Sequence, residues 1–85
     1  MPRVVFTSNL QRHVARPEAA VRGVTVREAL ENVFKKEAKM RGYVLDEQGE
    51  LRRHVHVYVG GRRAALSDAV EPSSEIFVLQ ALTGG

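Results

Sequence analysis

The residues best suited to chemistry in this 85-residue chain stand at its end. Leu82-Thr83-Gly84-Gly85 follows directly on an apolar, strand-like run, Glu75-Ile76-Phe77-Val78-Leu79-Gln80-Ala81-Leu82. No turn follows the glycine pair, and no adjacent helix needs it as a cap. Glycine has no β-carbon and samples φ values closed to other residues. A Gly-Gly end can therefore enter a narrow slot fully extended. It then places its α-carboxylate where a second protein can act on it. Read alone, the pair is equally a frayed terminus.

No other group in the chain offers comparable chemistry. There is no cysteine, hence no thiol nucleophile, no thiolate ligand and no disulfide. His54 and His56 at i, i+2 on a strand are a possible metal pair, but a site needs a third ligand and support behind it. His13 is the one remaining histidine, so no metal site is expected. Ser67-Asp68 reads as a turn pair, and no serine triad is visible. Neither a phosphate-binding loop nor a dinucleotide fingerprint occurs. No catalytic residue is assigned, and the chain is not expected to be an enzyme. The net charge is +3, carried mainly by arginine. That charge suits an acidic partner, and no motif supports nucleic-acid binding.

The elements that must position the tail are readable from periodicity. Arg3 to Asn9 is rich in β-branched and aromatic residues and predicts a first strand. Asn9 to Ala19 reads as an irregular connection, with Pro17 removing a donor. A short second strand at about Ala20-Val21-Arg22 completes a loose hairpin. Thr25 and Glu28 form a capping box, and Val24 and Ala29 occupy the hydrophobic-staple positions. The helix is expected to run from Val26 through Arg41, with an apolar stripe Val26, Ala29, Leu30, Val33, Phe34, Ala38 and the stem of Arg41. Gly42 is its expected C′ residue. Tyr43-Val44-Leu45 reads as extended and Asp46 to Gly49 as a turn. Leu51 to Val59 alternates, with Val55, Val57 and Val59 on one face and His54, His56 and Tyr58 on the other. Gly60-Gly61 makes a tight turn, and Arg62-Arg63-Ala64 a return strand. The last strand is apolar on both faces and is expected to lie centrally.

The fold class that follows is α+β: a mixed sheet of about four to five strands with one main helix packed on one face, a β-grasp arrangement. A chain of this length makes one domain, here residues 1–82, with 83–85 as a flexible tail. Nothing is apolar enough to span a membrane, and the start of the chain lacks a signal-peptide pattern. The cytoplasm is the expected compartment. Tyr58, Phe77 and Leu79 fall on the wet face beside the strand that leads to the tail, with Arg52, Arg53, Arg62 and Arg63 expected at its rim. An exposed apolar patch of this kind marks a partner site.

In its order of elements, in the segment Leu51 to Arg62 and in the ending Glu75 to Gly85, the chain resembles the ubiquitin-like sulfur carriers of the ThiS/MoaD family. Gly60 stands where asparagine is usual in that family, and both tolerate a left-handed turn. Gln80 stands near a common proline position. The resemblance implies a ubiquitin-like fold and a role as carrier. An E1-like activating enzyme would adenylate the Gly85 carboxylate with ATP and magnesium, and the carrier itself would bind no cofactor. Sulfur from a donor protein would then give a Gly85 thiocarboxylate for a sulfur-accepting biosynthetic enzyme. Gly85 would react, and Gly84 and Thr83 would form the tail. Tyr58, Phe77, Leu79, Arg53 and Arg62 would dock the partners. Two alternatives stay open: a protein modifier conjugated through the same Gly85, and, ranked third, a basic β-grasp module that binds nucleic acid and has no need of the tail.

Overall fold

The computed structural model describes residues 1–14 and 16–81. Strand β1 (Arg3–Phe6) leads into a 3-10 helix (Ser8–His13) and strand β2 (Glu18–Ala20). Helices α1 (Val26–Phe34) and α2 (Ala38–Val44) follow, then β3 (Val55–Val59), β4 (Arg62–Ala64) and β5 (Glu75–Gln80). The strands form one mixed sheet in the order β2-β1-β5-β3-β4. β5 is central: it pairs parallel with β1 and antiparallel with β3. The expected five-strand β-grasp, with its apolar last strand in the middle, is the architecture observed.

The period of two sorts side chains between the faces of the sheet. Val4, Phe6, Val55, Val57, Ile76 and Val78 point to the helical side and are buried. Leu30, Val33 and Phe34 of α1 and Met40 and Val44 of α2 close over them. Burying each such side chain contributes roughly 1.5–3 kcal/mol. Leu10, in the segment expected to be irregular, is wholly buried. The 3-10 turn around it carries an apolar anchor into the core.

The helix does not run unbroken to Arg41. It stops at Phe34, with Lys35 as C-cap, and a second helix starts after Glu37, whose φ and ψ of −122° and 65° are not helical. The reason lies in the stripe. A continuous helix carrying Val26, Leu30 and Val33 inward would next bring Lys36 and Glu37 onto the core face. The break removes them, and Met40, Val44 and Leu45 fill the core instead of Ala38 and Arg41, which are exposed. Gly42 consequently sits inside α2 and is not a cap; Leu45 is the C-cap. Tyr43 and Val44 are helical, not extended.

At the start of α1 the Thr25 hydroxyl accepts from the Glu28 amide at 3.1 Å. The Glu28 carboxylate accepts from the Val24 amide at 3.2 Å, one residue before the expected cap amide. No staple forms, because Val24 is 66% exposed. Gly23 does that work by close approach. A β-carbon there would lie 2.7–2.9 Å from the backbone and side chain of Ala29.

Arginines tie the helices to the loop before β3. Arg27 donates to the Gly49 carbonyl at 2.8 Å, and Arg52 donates to the Gly42 carbonyl at 2.6 Å. Arg41 reaches back across the helix break to both oxygens of Glu31 at 3.0 and 3.1 Å. That bidentate bond holds the Glu31 carboxyl below its ordinary value, against a smaller desolvation in the other direction. The turn itself is the expected one. Asp46 accepts from the Glu50 and Gln48 amides, which lower its pKa, and Gly49 takes φ 79°. The β3–β4 hairpin turns on Gly60 and Gly61 with φ of 60° and 79°, a type I′ geometry.

Two outcomes test this account. Gly23→Ala should lower stability by about 1–3 kcal/mol in urea denaturation, while Gly42→Ala, with open space around it and a helical backbone, should raise it by about 0.5–1 kcal/mol. The Glu31 pKa is lowered on folding, so its contribution is present above the unfolded value and is lost as pH falls through the folded one. Glu31→Gln should therefore flatten the acid limb of a plot of Tm against pH.

Candidate functional site

Everything that could present the end of the chain is set by β5. Its last hydrogen bonds run outward from the core strands: Thr7 donates to the Val78 carbonyl at 2.9 Å, and Ala81 donates to the His54 carbonyl at 2.7 Å. β5 is thus held on the β1 side as far as Val78 and on the β3 side as far as Ala81. Thr83, Gly84 and Gly85, the predicted tail and reactive end, lie outside the described residues.

The face of the sheet away from the helices is uncovered. Register places Tyr58 directly opposite Phe77, and His56 opposite Leu79. Phe77 also faces Val5 of β1, and Tyr58 faces Arg63 of β4. Side chains so paired have β-carbons about 4.5–5.5 Å apart, so Val5, Phe77, Tyr58 and Arg63 form one row across the sheet. Phe77 is 36% exposed, and Tyr58, Leu79 and Val5 are half-buried. The structure brings the predicted trio Tyr58, Phe77 and Leu79 onto one surface.

The arginines fall differently. Arg62 is opposite Val59, which shares the inward face of Val55 and Val57. It borders a concavity at β4 with Arg63, Asp68 and Ala69. Arg63, one residue on, is the arginine of the open row. The signal was present in the sequence: a two-residue turn at Gly60-Gly61 puts Val59 against Arg62, so Arg62 inherits the side of Val59. Arg63 donates to Nδ1 of His56. Arg53 is exposed in the turn that enters β3, beside His54, whose carbonyl holds Ala81. It flanks the departure of the chain from β5. At the opposite edge Arg3 pairs loosely with Glu18 at 3.4 Å.

The histidines do not converge. His13 lies in the 3-10 helix and stacks on Tyr43 of α2, with ring centroids 4.1 Å apart and planes 11° from parallel. Among the described residues no group of three or more histidine, aspartate or glutamate side chains could hold a metal ion. No described helix is long and apolar enough to cross a membrane.

An apolar face that spares the core has a measurable consequence. Phe77→Ala should cost under about 1 kcal/mol in chemical denaturation, while Ile76→Ala, one residue away on the core face, should cost about 2–5 kcal/mol.

No family model matches the sequence, and no curated protein matches it. Solved structures do. SAMP1 from Haloferax volcanii superposes with a TM-score of 0.85 at 24% identity, over 99% of this chain and 98% of that one. A chain of the Amycolatopsis orientalis BexX/CysO complex gives 0.86 at 23% identity over the full length of both. Mycobacterium tuberculosis CysO gives 0.83 at 18% identity, covering 96% of this chain and all of that one. The likeness spans the whole domain and leaves no extra element on either side. The chain has the fold of these proteins, a β-grasp of the ubiquitin-like kind.

Proposed function

We propose that this protein is a carrier of the ThiS/MoaD type, whose terminal Gly85 carboxylate is activated by an E1-like enzyme and converted to a thiocarboxylate. The observation that carries the reading is the placement of β5. The central strand is paired with β1 as far as Val78 and held to the β3 side as far as Ala81, its outward face is apolar, and the sequence continues from it as Leu82-Thr83-Gly84-Gly85. Likeness to CysO and SAMP1 over the whole chain supports it.

The chemistry asks little of the domain itself. A carboxylate is a poor acyl donor. Attack of the Gly85 carboxylate on ATP, with magnesium held by the activating enzyme, releases pyrophosphate and leaves an acyl-adenylate. The terminal sulfur of a donor protein's persulfide displaces AMP. A thiol then reduces the acyl disulfide and frees the thiocarboxylate for a sulfur-accepting enzyme. The carrier contributes a chain end thin enough to thread a slot and a face that aligns it. Phe77, Tyr58 and Leu79 bury against the partner, and Arg63 meets its acidic groups. Arg53 stands where the tail leaves, and Arg62 serves any contact made from the β4 edge. The domain brings no catalytic side chain and no resident cofactor, and it works in the cytoplasm.

A modifier role is the second reading. It is favoured by one observation, the overlap with SAMP1, whose other crystal structure bears the name small archaeal modifier protein 1. There the activated Gly85 acyl group passes to a lysine amine of a target.

Intact-mass analysis of the protein from its native cells, before and after iodoacetamide, tests both. With no cysteine in the sequence, thiol-type alkylation has one target, a terminal thiocarboxylate. A mass gain matching sulfur for oxygen, localised to Gly85 and capped by alkylation, is expected. Isopeptide adducts ending in Gly84-Gly85 in place of that mass would select the modifier. Deletion of Gly84 and Gly85 should abolish activation and leave Tm within about 1 °C, because terminal glycines bring no side chain to pack. A deletion variant still adenylated at the normal rate would sink both readings.

A further inference from the structure

The helical end of the molecule carries a second surface of a different character. Arg12 lies in the 3-10 helix, Arg16 follows it, and Lys35, Lys36 and Lys39 crowd the break between α1 and α2. All are exposed. Among the described residues none of them is within ion-pair distance of a carboxylate. Of the acids nearby, Glu31 is held by Arg41 at 3.0 Å and Glu18 meets Arg3 at 3.4 Å. Glu18 and Glu37 are the carboxylate residues that border the patch, against its five cations.

Tertiary structure joins these cations to aromatic surface. Lys39 and Tyr43 are i, i+4 on α2 and share a side of the helix. Tyr43 stacks on His13, the neighbour of Arg12, at 4.1 Å and still leaves 40% of itself exposed. At the helix break, Arg16 and Lys36, with Glu18 and Glu37, border a concavity of about 230 Å³ backed by Val21 and Val33. Cations in a row suit phosphates. An exposed stacked pair and an apolar hollow suit unpaired bases, which a folded acidic protein does not offer.

We propose that this end of the molecule, built from Arg12, Arg16, Lys35, Lys36 and Lys39 with Tyr43 as a stacking ring, is a docking surface for single-stranded RNA. The inference is independent of the carrier reading. The surface lies on the helical side of the sheet, away from Phe77 and Tyr58, so both faces can be occupied together. It needs neither Gly84 nor Gly85.

The test is fluorescence anisotropy of a labelled oligouridine strand with the full chain, from about 20 to about 200 mM salt. Engagement of about four phosphates gives a slope of log K against log salt near −3, a loss of several hundred-fold over that range. The combined Lys35→Gln, Lys36→Gln, Lys39→Gln variant should weaken binding at least tenfold and bring the slope toward about −1. Tyr43→Ala should weaken it by about 5- to 150-fold at unchanged slope, and Tyr43→Phe should restore it. Circular dichroism melts of each variant separate lost binding from lost fold. Absence of binding at the lowest salt overturns the proposal. So does a slope untouched by the lysine substitutions. Binding equal for heparin and oligouridine, with Tyr43→Ala as good as the parent, overturns it in favour of a surface for acidic proteins.

Discussion

The structure depends on the parallel pairing of β1 with β5. Arg3 to Phe6 lie beside Glu75 to Val78, so the first strand and the last are neighbours at the middle of the sheet. Parallel strands cannot be joined by a tight turn, and here nearly the whole chain forms the connection. The two helices, the loops and the β3–β4 hairpin must all fit between those strands. Their closure over one side buries Val4, Phe6, Ile76 and Val78 together. Contacts so distant in sequence form only after a large loop closes. The local signals at Thr25, Gly49 and Gly60-Gly61 shorten the search by fixing the intervening turns.

The same pairing separates the faces of the molecule. One side of the sheet is wholly committed to the helices. The other retains Phe77, Tyr58, Leu79 and Val5 with no layer over them. A domain of 85 residues has too little chain to cover both sides. The face that carries Phe77, Tyr58 and Leu79 belongs to the same strand that the sequence continues into Gly84-Gly85. The cations of the helix break lie on the far side, where they do not interfere with an apolar contact.

Arginine performs two kinds of work here. Arg27, Arg41 and Arg52 hold the loop and the two helices by hydrogen bonds to carbonyls and to Glu31. These links are exposed and modest one by one, but their planar donors fix direction as well as distance. Arg63 is different: it spans from β4 to His56 and lies along the open row.

Several rules that act within a few residues were enough, though the staple at Val24 and the cap at Gly42 were not. The alternation of Val55, Val57 and Val59 against His56 and Tyr58 announced a sheet with one wet side. The apolarity of β5 on both faces announced its central place, and Thr25 with Glu28 announced the start of α1. The trio Tyr58, Phe77 and Leu79 was legible for the same reason, since a period of two assigns sides without knowing partners. Tertiary structure alone decided what depends on competition for the core. Lys36 and Glu37 fit a helical period locally, and only the sheet beneath them makes their position forbidden, so the helix breaks and Gly42 falls inside α2. Leu10 is a lone apolar residue in a polar stretch until β5 and α2 pack against its segment and bury it. Gly23 looks like a loop glycine until Ala29 packs against it at a distance no β-carbon allows. The stacking of His13 on Tyr43, thirty residues apart in sequence, has no local signature at all. Periodicity assigns a face to each side chain, but the volume shared between elements is known only after they meet.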